Sequence, residues 1–250
     1  MLGKTTDAAT YSAAAAATLT AFTAKWFNPS TLEVANGTQA SMAMALDIGA
    51  VPAADVSAVT SQLVTSVTAN GLAVGEIGLT PLFRVLSESG NDQLLFNVVT
   101  ANKVGGYGYF VAQGLTSLPE YWNLKSGSRN HWMLGGVDLW LNSDLVGISQ
   151  AAGSVGFQNL VVRPSMVGGL TGASGSLQTS YGEVTSSWTA TATAVTLNVG
   201  VPVGSTATVY VPVIGANAPV TPAGATYIGT SGSYAEYTVG SGNWSFAPAA

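Results

Sequence analysis

Residues 105–148 read GGYGYFVAQGLTSLPEYWNLKSGSRNHWMLGGVDLWLNSDLVGI and hold three of the six tryptophans and the only histidine of the chain. A tight glycine turn (Gly105, Gly106, Gly108) is interleaved with Tyr107, Tyr109 and Phe110, and further on a lone carboxylate, Glu120, stands beside Tyr121 and Trp122. Flat apolar sugar faces stack on aromatic rings, sugar hydroxyls want a few fixed polar partners, and glycines let backbone approach a ligand closely. The pattern therefore predicts a sugar pocket. An acid set among apolar rings is also where desolvation raises a carboxyl pKa and poises it for proton transfer.

Upstream of this stretch the apolar residues recur at helical spacing. An alanine-rich helix is predicted from about Thr6 to Phe27, with Tyr11, Leu19, Phe22 and Trp26 along one packed side. A second helix runs from Thr38 to Leu46, and Gln39 at its start either faces the pocket or caps the helix. Val56, Val59, Leu63 and Val67 place a third over Ala54 to Asn70, closed by Gly71. Glu76 follows in a glycine-flanked loop as a second candidate acid, with a solvated loop carboxylate as the plainer reading. Thr80-Pro81 reads as an N-cap and first turn, Gly90 as a stop, and Asn91 or Asp92 as the cap of a helix bearing Leu94, Leu95, Val98 and Val99. Met133, Val137, Leu141, Leu145 and Ile148 predict a last helix from His131 to about Ser149, in which Trp140 is core. Connections this short favour antiparallel helix pairs.

Past Ala151 the period becomes two. Val195, Leu197, Val199 and Val201 alternate with small or polar residues up to Pro202, and Ala207, Val209, Val211 and Val213 alternate again after Gly204-Ser205, which reads as a hairpin. Further strands are expected around Phe157 to Arg163, Ser180 to Thr193 and Tyr227 to Phe246, making an antiparallel β-sandwich. The chain thus divides into a helical domain, residues 1–150, and a sandwich, residues 151–250.

Composition narrows the function. Only 8% of the 250 residues are charged, against about 25% in ordinary soluble domains. A net charge of −5 with seven scattered Lys and Arg argues against nucleic acid, which needs clustered cations. Zero cysteines and one histidine leave no thiolate nucleophile and make a metal site unexpected, so no cofactor is implied. Mean hydropathy is +0.36, yet no apolar run reaches the ~18 residues of a membrane span. The N-terminus reads as mature helix rather than a leader, and the low charge with abundant Thr, Ser, Gly and Ala suits a secreted carbohydrate-active protein.

The order Gly-Tyr-Gly-Tyr, then Gly-Leu-Thr-Ser-Leu-Pro-Glu-Tyr-Trp over residues 114–122, then Ser-Arg-Asn-His-Trp-Met over residues 128–133 resembles the inverting α-L-rhamnosidases of glycoside hydrolase family 78. Gly37-Thr38-Gln39 resembles the start of an inner barrel helix there. Val162-Arg163-Pro164, Thr179-Ser180-Tyr181-Gly182, Trp188, and Gly240-Ser241-Gly242-Asn243-Trp244 follow the pattern of the family's C-terminal β domain. Within residues 114–122, Leu115 and Pro119 depart from the family's pattern. The resemblance implies the second half of a six-hairpin (α/α)6-type barrel followed by an antiparallel β-sandwich, with hydrolysis of terminal α-L-rhamnose from a glycoside or polysaccharide as the activity. It implies Glu120 as the general base that activates water, with Asn130 and His131 holding sugar hydroxyls. Trp122 and Tyr109 are expected to wall the apolar side.

An inverting glycosidase needs a second carboxyl about 6.5–9.5 Å from the first, and the family's general-acid segment has no match in this sequence. The complete barrel also has more helices than this chain supplies. A companion chain, or pairing of copies, is therefore expected to cover the faces left open. The alternatives are a non-catalytic carbohydrate-binding or assembly protein on the same fold, and a structural protein without a ligand. For the single residues the plainer readings are a surface carboxylate at Glu120, a helix-start cap or core imidazole at His131, and ordinary packing at Tyr109 and Trp122.

Overall fold

Alanine has the highest helix propensity of any residue, and the run Ala13 to Ala17 lies in the middle of α1 (Thr5–Trp26). In the computed structural model, which describes residues 3–215 and 217–248, no residue of α1 is buried. Tyr11 is 75% and Trp26 45% exposed. The predicted packing side therefore exists as a helix face that the described residues cover only in part: Leu19 and Phe22 are half-buried, whereas Tyr11 and Trp26 stay exposed. Phe27–Asn28 (β1) and Glu33–Val34 (β2) form a small antiparallel pair. Then come α2 (Gln39–Asp47), α3 (Val56–Asn70), α4 (Glu76–Glu88), α5 (Asp92–Thr100) and α6 (Tyr107–Ala112).

The core of this first compact unit, Met1–Val137, is set by helical periodicity: Met42, Ala43 and Ala45 on α2, Val59, Leu63 and Val67 on α3, Leu79, Leu82, Phe83 and Leu86 on α4. Gly78 lets α4 lie against α2, since a Cβ there would sit 2.8 Å from the Cβ of Ala40. Gly71 (φ +70) and Gly90 (φ +77) end α3 and α4 where the sequence predicts. α4 itself starts earlier than the Thr80-Pro81 reading, with Gly75 as N-cap and Pro81 inside. An interior proline costs about 3 kcal/mol. Burying Leu79, Leu82, Phe83 and Leu86 contributes about 1.5–3 kcal/mol each, so the helix runs through it.

Of the glycine turn at 105–108, Gly105 (φ +89) lies in a turn, Gly106 is the N-cap of α6 and Gly108 is inside that helix. The expected helix from His131 to Ser149 is broken into a 3-10 turn (Trp132–Leu134), a short helix α7 (Val137–Trp140), a π turn (Leu141–Leu145) and strand β3 (Ile148–Gln150). Gly135-Gly136 interrupts the ladder at one end. At the other, Gly147 (φ +88) leaves no room for a side chain, since a Cβ there would lie 2.4 Å from the Pro164 nitrogen. Trp140 is buried as expected.

The second unit, Asp138–Ala250, contains β3, β4 (Asn159–Val162), β5 (Gly172–Thr179), β6 (Gly182–Ala190), β7 (Val195–Val201), β8 (Thr206–Pro212), β9 (Thr226–Ser231), β10 (Tyr234–Val239) and β11 (Gly242–Phe246). They form a five-stranded sheet in the order β3-β4-β8-β10-β9 and a four-stranded sheet in the order β11-β7-β6-β5. All neighbouring pairs in these sheets are antiparallel except β4 with β8. One apolar core joins them, from Leu160, Val162, Val209, Val211 and Tyr237 to Val184, Trp188, Leu197, Val199 and Phe246.

The two alternating runs of residues 195–201 and 206–212 are not a hairpin: β7 and β8 belong to different sheets. Both have a fully apolar inner face, so each needs an apolar layer opposite rather than a strand beside it, and Pro202 to Ser205 carries the chain across. The helical unit followed by a mainly antiparallel sheet unit agrees with the predicted fold class.

Candidate functional site

α6 ends at Gln113-Gly114 (φ +73), and the chain then closes a loop on itself. The His131 N–H donates to the Leu118 carbonyl (2.8 Å) and the Glu120 N–H to the Ser128 carbonyl (2.9 Å). The Ser117 hydroxyl donates to the Arg129 carbonyl at 2.6 Å, and the Arg129 guanidinium to the Leu124 carbonyl at 2.6 Å. Within this loop Glu120 is half-buried. Its Oε2 accepts the Ser128 N–H at 3.0 Å, while its Oε1 accepts no hydrogen bond from the described residues. One oxygen is fixed by backbone and the other is left without a partner among the described residues.

Gly127 (φ +80) makes this possible. A Cβ there would lie 2.7 Å from Glu120 Oε2 and 2.6 Å from Tyr121 Cδ2. Gly127→Ala is expected to cost only about 1–2 kcal/mol of stability, the strain of left-handed backbone, because the crowded atoms are side-chain ends that can swing away. The swing would break the Ser128 contact and misplace the carboxylate. Thermal unfolding should thus shift by a few degrees, while any Glu120-dependent turnover falls about 100-fold, the size of effect expected for an ~1 Å misplacement. Unchanged turnover would show that the Ser128 contact does not orient the acid.

Aromatic packing anchors the loop. The Trp122 indole stacks on Phe110 (centroids 5.5 Å, 15°) and meets Tyr107 edge-on (5.1 Å, 86°). Its N–H donates to the Val74 carbonyl at 2.7 Å. The Tyr107 hydroxyl donates to the Leu134 carbonyl, and burial pushes that phenol far above its ordinary value, so it stays a neutral donor. Trp122 is placed as the post from which Glu120 hangs, two residues away. Tyr109, tilted against Phe110 at 6.2 Å, is half-buried.

The glycines of this segment admit backbone rather than ligand. A Cβ at Gly106 would lie 2.4 Å from the Ala101 carbonyl oxygen, and one at Gly108 would lie 2.2 Å from that of Thr100.

His131 caps the 3-10 turn, Nδ1 accepting from the Met133 N–H at 3.0 Å. That bond assigns the proton to Nε2, which leaves a donor pointing away from the cap. The ring stacks on Trp132 at 5.9 Å and 18°, and Trp132 is 70% exposed. Asn130 is exposed, its backbone tied to the Ser128 hydroxyl at 3.1 Å and its side-chain amide without a hydrogen bond to any described residue. Sequence reading missed Trp132; the signal was a tryptophan directly after the histidine, hidden by assigning it to a continuous helix.

The two other candidates lie apart in role. Glu76 is the first residue of α4 rather than a loop residue. Gln39 neither caps nor opens to a pocket: it is buried, its Nε2 donates to the Gly71 carbonyl (3.0 Å), and its Oε1 accepts the Ala73 N–H (2.9 Å). Thr38 caps α2 in its place, accepting from the Ser41 N–H. Among the described residues no group of three or more His, Asp or Glu is placed to hold a metal ion, and no helix is long and apolar enough to cross a membrane.

The family model described as the bacterial alpha-L-rhamnosidase 6 hairpin glycosidase domain matches residues 1–145. The chain belongs to the bacterial α-L-rhamnosidases. The family's C-terminal domain model matches residues 147–225. An α-L-rhamnosidase of Formosa agariphila is 29% identical over 224 residues, which is 85% of this chain and 24% of that protein. One from Streptomyces avermitilis is 27% identical over 151 residues, covering 56% of this chain and 14% of that protein.

The solved α-L-rhamnosidase of Dictyoglumus thermophilum superposes with a TM-score of 0.86 at 25% identity, over all of this chain and 29% of that one. The Streptomyces avermitilis enzyme, solved in complex with L-rhamnose, gives a TM-score of 0.85 at 24% identity over 92% of this chain and 23% of that one. The chain thus spans about a quarter of the length of the first of these rhamnosidases.

Proposed function

We propose that this chain carries the general-base side of an inverting α-L-rhamnoside hydrolase, with Glu120 as the base. The observation that carries the reading is the Glu120 carboxylate, held at Oε2 by the Ser128 N–H and unengaged at Oε1. A water hydrogen-bonded to Oε1 loses its proton to the carboxylate as its oxygen bonds to the anomeric carbon, and the aglycone leaves from the opposite face. His131 Nε2–H and the Asn130 amide hold ring hydroxyls, and the exposed Trp132 ring and the half-buried Tyr109 ring offer apolar faces for the deoxysugar. The substrate class is a glycoside or polysaccharide with terminal α-L-rhamnose, in a secreted setting that suits the low charge of the chain.

The second carboxyl, which must protonate the leaving oxygen about 6.5–9.5 Å away, comes from further barrel hairpins. α1, with no buried residue, supplies the face on which they pack, whether they belong to the same polypeptide or to a companion.

The test is hydrolysis of an aryl α-L-rhamnoside by the chain, alone and assembled with those hairpins, with and without Glu120→Gln. Removing a positioned general base typically costs 10²–10⁴-fold. A fall of about that size in kcat, with rhamnose binding and melting temperature unchanged, is the expected result. Full turnover by the variant would remove Glu120 from the chemistry. Rhamnose binding without turnover in any assembly would favour a carbohydrate-binding role on the same fold.

A further inference from the structure

The outer face of the four-stranded sheet carries polar side chains in a pattern that neither folding nor the proposed hydrolysis uses. Strand register aligns Thr185 of β6, Gly200 of β7 and Asn243 of β11 in one row, and Ser187, Asn198 and Ser245 in the next. These six residues line a groove of about 310 Å³. Gly200 forms its floor: a Cβ there would meet Thr185 Oγ1 at 2.4 Å and Asn243 Oδ1 at 3.3 Å, so any larger residue would fill the trough. The side chains of Thr185, Ser187, Asn198, Asn243 and Ser245 make no hydrogen bond to any described residue. The face therefore presents two amides and three hydroxyls, all with donor and acceptor capacity unengaged.

No ionisable residue lines the groove, which removes the means of selecting a phosphate, a carboxylate or a cation. Neighbouring strands lie about 4.8 Å apart and alternate residues about 6.8 Å along a strand, so the two rows cover the footprint of a short run of pyranose rings. Sugar hydroxyls also donate and accept at once, which is the property these side chains share. Trp244 contributes to the wall, but its indole N–H already donates to the Gly240 carbonyl at 3.0 Å and its ring packs against the core. The face thus offers hydrogen bonds without a stacking platform, which limits its affinity.

We infer that this face of the C-terminal unit is a second, non-catalytic binding site for a neutral oligosaccharide. It holds a glycan by hydrogen bonding, independently of the Glu120 loop.

Nitrogen-edited NMR of the intact chain, titrated with the neutral probes maltohexaose, cellohexaose and xylohexaose and with charged polygalacturonate, tests this. At least one neutral probe should shift the side-chain amide signals of Asn198 and Asn243, with Kd of about 1 mM. The exposed pair Asn198→Ala/Asn243→Ala should weaken that binding by about tenfold or more at an unchanged melting temperature, and Gly200→Val should block it. Glu120→Gln should leave it intact, so loss of turnover and loss of this site are read separately. The inference is overturned if no neutral probe moves those amides at about 10 mM, if only polygalacturonate does, or if binding survives the double variant and disappears with Glu120→Gln.

Discussion

Trp188→Ala is expected to unfold the C-terminal sandwich at ordinary temperature. Trp188 is 1% exposed and sits on the inner face of β6 opposite Leu197 of β7. Its indole N–H donates to the Leu145 carbonyl at 2.8 Å, a bond buried on both sides. Truncating a buried tryptophan to alanine costs about 3–5 kcal/mol through lost transfer and the cavity left behind. Stranding the Leu145 carbonyl adds about 1–3 kcal/mol. The sum, about 4–8 kcal/mol, is comparable with the whole 5–15 kcal/mol stability of a typical domain.

Trp188→Phe separates the two terms. It keeps most of the ring and loses the donor, so its urea midpoint should fall by much less. Both variants are read by urea unfolding, with near-ultraviolet circular dichroism reporting the packed rings. A Trp188→Ala protein that melts within a few degrees of the parent would show that the sandwich core does not depend on this side chain.

The same tryptophan shows what period-two alternation reveals and what it leaves open. Val184, Ser186 and Trp188 all point inward, and so do Val195, Leu197, Val199 and Val201 on β7 and Ala207, Val209 and Val211 on β8. Inner faces could be read because one side must be apolar for the strand to be buried at all, but strand limits only at β7: the Tyr227 to Phe246 stretch divides into β9, β10 and β11. Which strands are neighbours could not, since a hairpin and a crossing between sheets have the same alternation. β5 stayed hidden because its sequence, GASGSLQT, carries only Ala173 and Leu177 on its inward side. In the helical unit, glycine stops at Gly71 and Gly90 were legible because positive φ is local chemistry.

Gly135-Gly136 was overridden by the apolar spacing from Met133 to Ile148, and so one helix was expected where three short turns and a strand occur. At the candidate site, the acid, the histidine and the asparagine were legible as residue types in a motif. The contact that fixes the acid was not, because it is a backbone N–H donated by Ser128 and a clearance at Gly127. Neither a backbone donor nor an empty volume leaves a periodic trace.

Gly108→Ala tests the closest such clearance and should be the most damaging substitution in the helical unit. Helix propensity alone predicts the opposite, a gain of about 1 kcal/mol for replacing a helical glycine with alanine. Sterics should prevail. The added Cβ would stand 2.2 Å from the Thr100 carbonyl oxygen, 2.8 Å from its carbon and 3.0 Å from the Ala101 oxygen. All three are backbone atoms at the end of α5, and a rotamer change cannot move them.

α6 would have to lift away by roughly an ångström, and overpacking of this kind costs about 1–3 kcal/mol, occasionally more. The lift would also part Tyr107 and Phe110 from Trp122, whose indole N–H holds the Val74 carbonyl. Edge and stacked ring pairs contribute about 0.5–1.5 kcal/mol each, so a net loss of about 3 kcal/mol is expected, read as a lower urea midpoint and a shifted tryptophan emission. Because Glu120 lies two residues before Trp122, any Glu120-dependent turnover should fall with it even below the melting temperature. A more stable Gly108→Ala protein would mean that α6 does not press on the end of α5, and the support proposed for the acid would go with it.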